Sequence, residues 1–455
     1  MQIVLARLLA PEAFGLLAIM LVVVEVGNVV SQSGLGAALI QDKEADDLSS
    51  TTAFWLSFAL AICLYIIVFL AAPAIASFYG MPDLTTCLRV IALVLPINAA
   101  NSIQRSLLQK NMDFKAIFKS STIAVTISGI AGIITAIMGW GVWALVLQSL
   151  MQVAATCVVM AIQISWHPTF SFDTNRAKAL FSYGWKICIT GILNVIYTGV
   201  SELILGKASN ASQLGFYSQG RKWPNAGISI ASNALQNVMF PAFAELQDDP
   251  GRLKAAIRKA IIGGSFVMAP VSLLGCVCAE PLVGLLLGEK WLPCVPVFQM
   301  TCAAYCVLIL QLVNLRAYMA LGDSGLYLKL QVIKVVASCA VIWAVAIATS
   351  DIYWVAAASN ICWVVCVFAV DMRPAMRMHG VGWGEQVKAF APSFVASAIA
   401  TVVAALILLT GLPYVPTLIL QIAVFATVFL ALAHFGKLEG FQIMKAAIMS
   451  LMPGK

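Results

Sequence analysis

Apolar runs long enough to cross a bilayer follow one another from residue 14 to residue 435, broken only by short polar connectors. They fall at 14–40, 51–78, 84–107, 116–138, 141–164, 180–206, 212–240, 257–287, 295–320, 327–349, 352–371, 388–410 and 415–435, after an apolar stub at 1–9. A span needs about 20 mainly apolar residues. A chain that is 61% hydrophobic and 10% charged has far too little polar surface for a water-soluble fold. Backbone groups in lipid must satisfy one another, which leaves helices or a closed barrel. The runs do not alternate with period two, so an all-α polytopic membrane protein is expected. No connector is long enough for a soluble catalytic domain.

The placement of Lys and Arg tests this reading. Alternate connectors carry Lys43; then Arg105, Lys110, Lys115 and Lys119; then Arg176, Lys178 and Lys186; then Arg252, Lys254, Arg258 and Lys259. Arg316, Lys329 and Lys334, then Arg373, Arg377 and Lys388, then Lys437, Lys445 and Lys455 continue the series. The opposite side has only Arg7, Arg89, Lys207 and Lys290. One missed or false helix would scramble this alternation, which puts the C-terminus in the cytoplasm. Eleven of the 12 Cys lie in predicted spans and Cys294 just before one, with no His beside any close pair, so neither disulfides nor a metal site are expected. Asp249 before Pro250 predicts a capped helix start, with Leu253, Ile257 and Ile261 on one face.

The chain repeats itself. Leu5-Ala6-Arg7 followed by Phe14-Gly15-Leu16 matches Leu205-Gly206-Lys207 followed by Leu214-Gly215-Phe216. Arg105 and Arg316 close the fourth helix of each copy. Six helices per copy is an even number, so the copies are related by an axis along the membrane normal. The expected organisation is an N-terminal lobe at 1–165, a cytoplasmic linker at 166–179, a C-terminal lobe at 180–372, and two further helices with a tail at 373–455. The first helix is partial: nine residues rise only about 13 Å.

Polar side chains inside the spans are unevenly placed. Run 212–240 carries Ser218, Arg221, Lys222, Asn225, Ser229, Ser232, Asn233 and Gln236 at helical spacing. Run 180–206 carries Tyr183, Lys186, Thr190, Asn194, Tyr197, Ser201 and Glu202. Run 14–40 has Glu25, Asn28 and Gln32, and run 84–107 has Asn98, Asn101 and Arg105. Hydrogen bonds between helices explain one or two such residues. Stripes on four helices, with an adjacent Arg-Lys pair, point to a water-filled cavity. Glu25 and Glu202 are candidate ion-coupling sites or partners in static ion pairs. A cavity with fixed cations suits an amphiphile with an anionic head, such as a pyrophosphate on a lipid.

The stretches ARLLAPEAFG at 6–15, LGFYSQGRKWPN at 214–225, FPAFAELQDDPGRLKAA at 240–256 and AEPLVGLLLGEKW at 279–291 resemble the polysaccharide-exporter branch of the multidrug/oligosaccharidyl-lipid/polysaccharide (MOP) flippase superfamily, in particular its Wzx-type lipopolysaccharide and colanic-acid exporters. The resemblance implies two six-helix lobes plus two extra C-terminal helices. It implies a non-enzymatic flippase in the bacterial inner membrane that moves undecaprenyl-diphosphate-linked oligosaccharide by alternating access. Membrane lipids, a coupling proton or sodium ion and a polysaccharide polymerase machinery are the further partners it implies; no cofactor and no nucleic acid are expected. Arg221, Lys222, Lys186, Arg7 and Lys207 then become candidates for the pyrophosphate. Asn28, Gln32, Asn98, Asn101, Asn194, Tyr197, Asn225, Ser229 and Asn233 become candidate cavity lining. The family has a full first helix, so in-frame apolar codons are expected directly upstream of Met1.

Two other functions stay open. An ion-coupled multidrug exporter of the same superfamily is expected to lack a strongly cationic cavity. A membrane-embedded polymerase or glycosyltransferase needs a sizeable polar loop with acid/base carboxylates. The connectors offer only Asp42, Glu44, Asp46 and Asp47 near Lys43.

Overall fold

Aspartates start many of the helices. The carboxylates of Asp46, Asp113, Asp173, Asp249 and Asp351 accept first-turn backbone N–H groups at 2.8–3.2 Å, which satisfies donors that a helix start leaves unpaired. Pro250 follows Asp249 at the first helical position, as the sequence predicts. The computed structural model describes residues 1–32, 34–41, 46–349 and 351–451, without the side chains of 37, 41, 179, 183, 186, 187, 324 and 447–451. Among them there is helix and turn but no strand.

Eleven of the described helices are long and apolar enough to cross a membrane; the count is twelve if Glu289–Tyr305 and Leu308–Ala320, bent by 47°, form one span. The sequence predicts thirteen. The difference is Ala211–Glu245, a continuous helix of 35 residues whose polar stripe keeps its hydropathy too low to qualify by composition. Several predicted runs are broken. Run 14–40 divides into Pro11–Gln32 and Leu35–Gln41, with Gly34 between them at φ +67°, a conformation that Gly adopts at little cost. Run 84–107 divides into Asp83–Ile91 and Val94–Lys110. Pro96 has no N–H for the carbonyl of Ala92, which lies in the gap. Pro281 does the same to Val277, where Pro250–Val277 ends and Ala279–Leu286 begins.

Packing groups the chain into two units, Met1–Gly215 and Phe216–Lys455. In the first, Thr174–Ala208 packs on Pro11–Gln32, Leu35–Gln41 and Asp47–Tyr79, and Phe114–Ile137 pairs with Val142–Gln163. Thr174–Ala208 thus packs within the first unit, whereas the sequence repeat assigns 180–206 to the second copy; the lobe limits at 165 and 180 stay a proposal. The stretch 166–179 is fastened to Asp47–Tyr79. Arg176 pairs with Asp46 and donates to Ser49 Oγ at 2.7 Å, and Trp55 Nε1 donates to the Thr169 carbonyl at 2.8 Å. The Ser49 N–H, and after it Arg176, hold the Asp46 carboxyl at a pKa of about 2. In the second unit, Pro250–Val277 packs on Val295–Tyr305, Leu308–Ala320, Trp383–Ala405 and Glu439–Leu451. Leu253, Ile257 and Ile261 are buried there with Phe390, Phe425 and Phe429. This face therefore packs into protein.

The internal repeat has a direct structural counterpart. A Cβ on Gly15 would fall on the carbonyl of Ala211, and a Cβ on Gly215 would fall on the carbonyl of Pro11. Ser212 Oγ donates to Glu12 Oε1 at 2.5 Å. The starts of the two helices therefore touch reciprocally, residue for residue, in the register of the repeat.

Candidate functional site

Pro11–Gln32, Leu35–Gln41 and Val94–Lys110 contribute to the wall of a cavity of about 730 Å³ within the first unit. Glu25, Asn28 and Gln32 line it from Pro11–Gln32, and Asn98, Asn101 and Arg105 from Val94–Lys110. These are the residues the sequence marks on those two helices. Asn98 Nδ2 donates to Asn28 Oδ1 at 3.1 Å, tying the helices together. Asn101 Nδ2 donates to the Val153 carbonyl at 3.1 Å, while its Oδ1 is buried with no hydrogen-bond partner among the described residues. Glu25 and Arg105 are both exposed. Sequence reasoning missed Ser102, Ser106, Gln109, Ser121, Gln152 and Thr156, which also line the cavity. Gln152 and Thr156 stand four apart on one helix face, and that spacing was the available signal. From Thr174–Ala208 only Cys188 and Gly191 contribute among the described residues. Asn194, Tyr197 and Glu202 lie elsewhere on that helix, and the side chain of Lys186 is outside the described residues.

In the second unit the Ala211–Glu245 stripe faces its neighbours in part. Asn225 Oδ1 accepts from Tyr305 Oη, and Gln236 Oε1 accepts from Arg316. Ser229 Oγ donates to the Ala226 carbonyl at 2.9 Å, and Asn233 is exposed. The Arg221 guanidinium lies 5.5 Å from the centroid of the Tyr217 ring, within reach of a cation–π contact. Lys222 is exposed. The two predicted outer cations sit at helix ends. Arg7 is exposed in the last turn of Gln2–Leu8. Lys207 Nζ donates to the Phe78 carbonyl at 2.5 Å and lies 4.7 Å from the Phe78 ring centroid. That is the chemistry of a cation closing a helix C-terminus.

Residues 4–296 match the model of the polysaccharide biosynthesis protein family. The chain belongs to that family. The succinoglycan biosynthesis transport protein ExoT of Rhizobium meliloti (strain 1021) is 25% identical over 288 residues, covering 63% of this chain and 58% of ExoT. The lipopolysaccharide biosynthesis protein WzxC of Escherichia coli (strain K12) is 27% identical over 305 residues, covering 66% of this chain and 61% of WzxC. The chain thus matches these relatives over about six-tenths of their length. Its fold is similar to that of the lipid II flippase MurJ in the inward closed conformation, with a TM-score of 0.75 at 14% identity over 96% of this chain and 95% of that one. The all-α polytopic membrane architecture expected from the sequence is confirmed.

This family member also holds a polar network that the sequence reading did not foresee. Lys334, counted there as a connector cation, lies inside Ser324–Thr349 at 0% exposure. Its Nζ is 3.0 Å from Asp371 Oδ1, and Asp371 is equally buried. Gln311 Nε2 donates to Asp371 Oδ2 at 3.1 Å, and Tyr318 Oη donates to the Asp371 carbonyl at 2.7 Å. Asp371 ends a π-helical turn, Val367–Asp371, a geometry often kept for function. Asn314 continues the network to Gln386 and His379. The His379 ring accepts the Val381 N–H at Nδ1 and donates from Nε2 to Asn314 Oδ1, so it is neutral. Burial lowers its pKa from 6.5 to about 4. Because the unfolded chain then binds the extra proton, its contribution to stability is complete above pH 6.5 and is lost toward pH 4. The melting temperature in detergent should fall as pH drops across that window, and His379→Gln should flatten the fall; an equal slope in both proteins would exclude this residue as the cause.

Proposed function

We propose that this protein is a flippase. It moves undecaprenyl-diphosphate-linked oligosaccharide repeat units across the bacterial inner membrane by alternating access, for lipopolysaccharide or exopolysaccharide biosynthesis. The observation that carries this reading is the lining of the first-unit cavity: six amide and four hydroxyl side chains with one Arg and one Glu, among nine apolar or small residues. Sites for drug-sized ligands are mostly apolar with few polar groups, whereas this lining matches sugar hydroxyls. Arg221 and Lys222, in the second unit, are the candidate cations for the diphosphate. In this reading the C-terminus lies in the cytoplasm and the product passes to a polymerase machinery.

A deletion strain should accumulate a complete lipid-linked repeat unit on the inner leaflet. The parent gene should restore export, and Arg221→Ala or Lys222→Ala should lower it at least about tenfold, the cost of one lost charge-assisted contact. An incomplete repeat unit in the deletion strain would instead indicate an enzyme that builds it.

Transport is coupled to a proton or sodium gradient, with Glu25 as the coupling carboxylate because it lines the cavity; Glu202 is the second candidate. In proteoliposomes Glu25→Gln should remove the dependence of transport on the gradient. A dependence on pH and sodium unchanged from the parent would exclude Glu25.

A further inference from the structure

The second unit contains an apolar groove of about 410 Å³. Trp223, Gly227 and Ile230 form one side, and Val271, Leu282 and Phe298 the other. Its volume is in the range of small-ligand sites, about 300–1,000 Å³. Ile230 is 76% exposed and Val271 43% exposed, so the groove is open along one side.

Its place on the helix decides what it fits. Each residue advances roughly 100° around the axis. Trp223, Gly227 and Ile230 share one face. Ser218, Asn225, Ser229 and Gln236 share another, on nearly the opposite side. The adjacent Arg221 and Lys222 stand on the two flanks of the polar face. Arg221 stands one turn before Asn225 on the polar face. Lys222 stands one turn before Ala226, which lines the groove; side chains four apart are neighbours on a helix surface. One helix therefore presents a polar stripe, a cation at its border, and an apolar trough beyond that cation. This is the order of parts in a sugar–diphosphate–hydrocarbon molecule.

We infer that the groove holds the head-proximal isoprene units of a prenyl diphosphate, with Lys222 against the phosphate. The inference rests on the flippase reading and adds a site for the lipid part of its substrate. The groove takes only the start of a long chain, and the remainder continues into the bilayer through the open side.

Gly227 allows a clean test, because a Cβ there meets nothing within 4 Å. Gly227→Leu fills the groove without a backbone collision. The full chain is placed in nanodiscs of phosphatidylethanolamine and phosphatidylglycerol. Equilibrium affinities are then measured for inorganic pyrophosphate, geranyl diphosphate and farnesyl diphosphate. In the parent, each added isoprene unit should tighten binding about tenfold or more, as burial of several carbons implies. Gly227→Leu should lose that gain while keeping the parent's affinity for pyrophosphate, and the pyrophosphate value also reports on the fold. Ile230→Asn, at an exposed position, should reduce the same gain. Lys222→Gln should weaken all three ligands by one common factor.

A chain-length gain that survives both groove variants overturns the inference. So does displacement of farnesyl diphosphate by a lysophospholipid as readily as by a longer prenyl diphosphate, which would give the groove to bulk lipid. Pyrophosphate binding without any chain-length gain in the parent removes the groove and leaves the flippase reading standing. Failure of the parent to bind any of the three removes both.

Discussion

Lys334→Met should destabilise the second unit by about 3–5 kcal/mol, the usual cost of removing one member of a buried ion pair. Lys334 and Asp371 are both at 0% exposure. Without the ammonium, the Asp371 carboxylate keeps only the Gln311 N–H as a side-chain partner among the described residues. Asp371→Leu should cost a similar amount, because a buried ammonium left alone is as poorly solvated. The double variant Lys334→Met, Asp371→Leu should recover most of the loss. Replacing a buried pair by apolar groups of similar volume is often neutral or stabilising by about 1–4 kcal/mol, against which Gln311 losing its acceptor costs about 1 kcal/mol. Thermal unfolding of the four proteins in one detergent checks this. Single variants that melt with the parent would show that the pair contributes nothing.

The second large effect is at the reciprocal glycine contact. Gly15→Leu and Gly215→Leu should each prevent stable accumulation of the protein in the membrane, and Gly15→Ala should already cost about 1–3 kcal/mol, as overpacking does. The reason is what the new atom meets. At Gly15 it meets the carbonyl of Ala211, and at Gly215 that of Pro11. A flexible side chain can move aside; a backbone carbonyl in a helix moves only with its helix. Gly227→Ala is the control on the same long helix. Nothing lies within 4 Å of its Cβ, so the substitution should be neutral or stabilising by about 0.5–1 kcal/mol through helix propensity. Membrane levels and melting temperatures would decide. A Gly15→Ala variant as stable as Gly227→Ala would mean that the helices separate at no cost.

These two sites were unequally legible beforehand. The register of the glycine contact is the register of the sequence repeat, because each glycine recurs at the same place in a duplicated local pattern. The contact itself was not legible, since a repeat does not say that its copies touch. For the cavity, polar residues at helical spacing marked Asn28, Gln32, Asn98 and Asn101. The same rule marked Asn194 and Tyr197 equally, and their part of Thr174–Ala208 does not reach that cavity. Spacing defines a face of one helix and leaves open what that face meets.

The sequence by itself determined the membrane class, the position of most spans and the family. All of these follow from hydropathy, charge and motif order along the chain, which are properties of neighbours in sequence. Only the tertiary structure decided which polar residues gather into a cavity, that Lys334 is buried rather than in a connector, and that its partner is Asp371. Those outcomes depend on the rotation of each helix about its own axis and on which helix stands opposite. Burial of a charge is tolerable only where both conditions supply a counter-charge within about 3–4 Å, and no window along one segment of the chain contains that information.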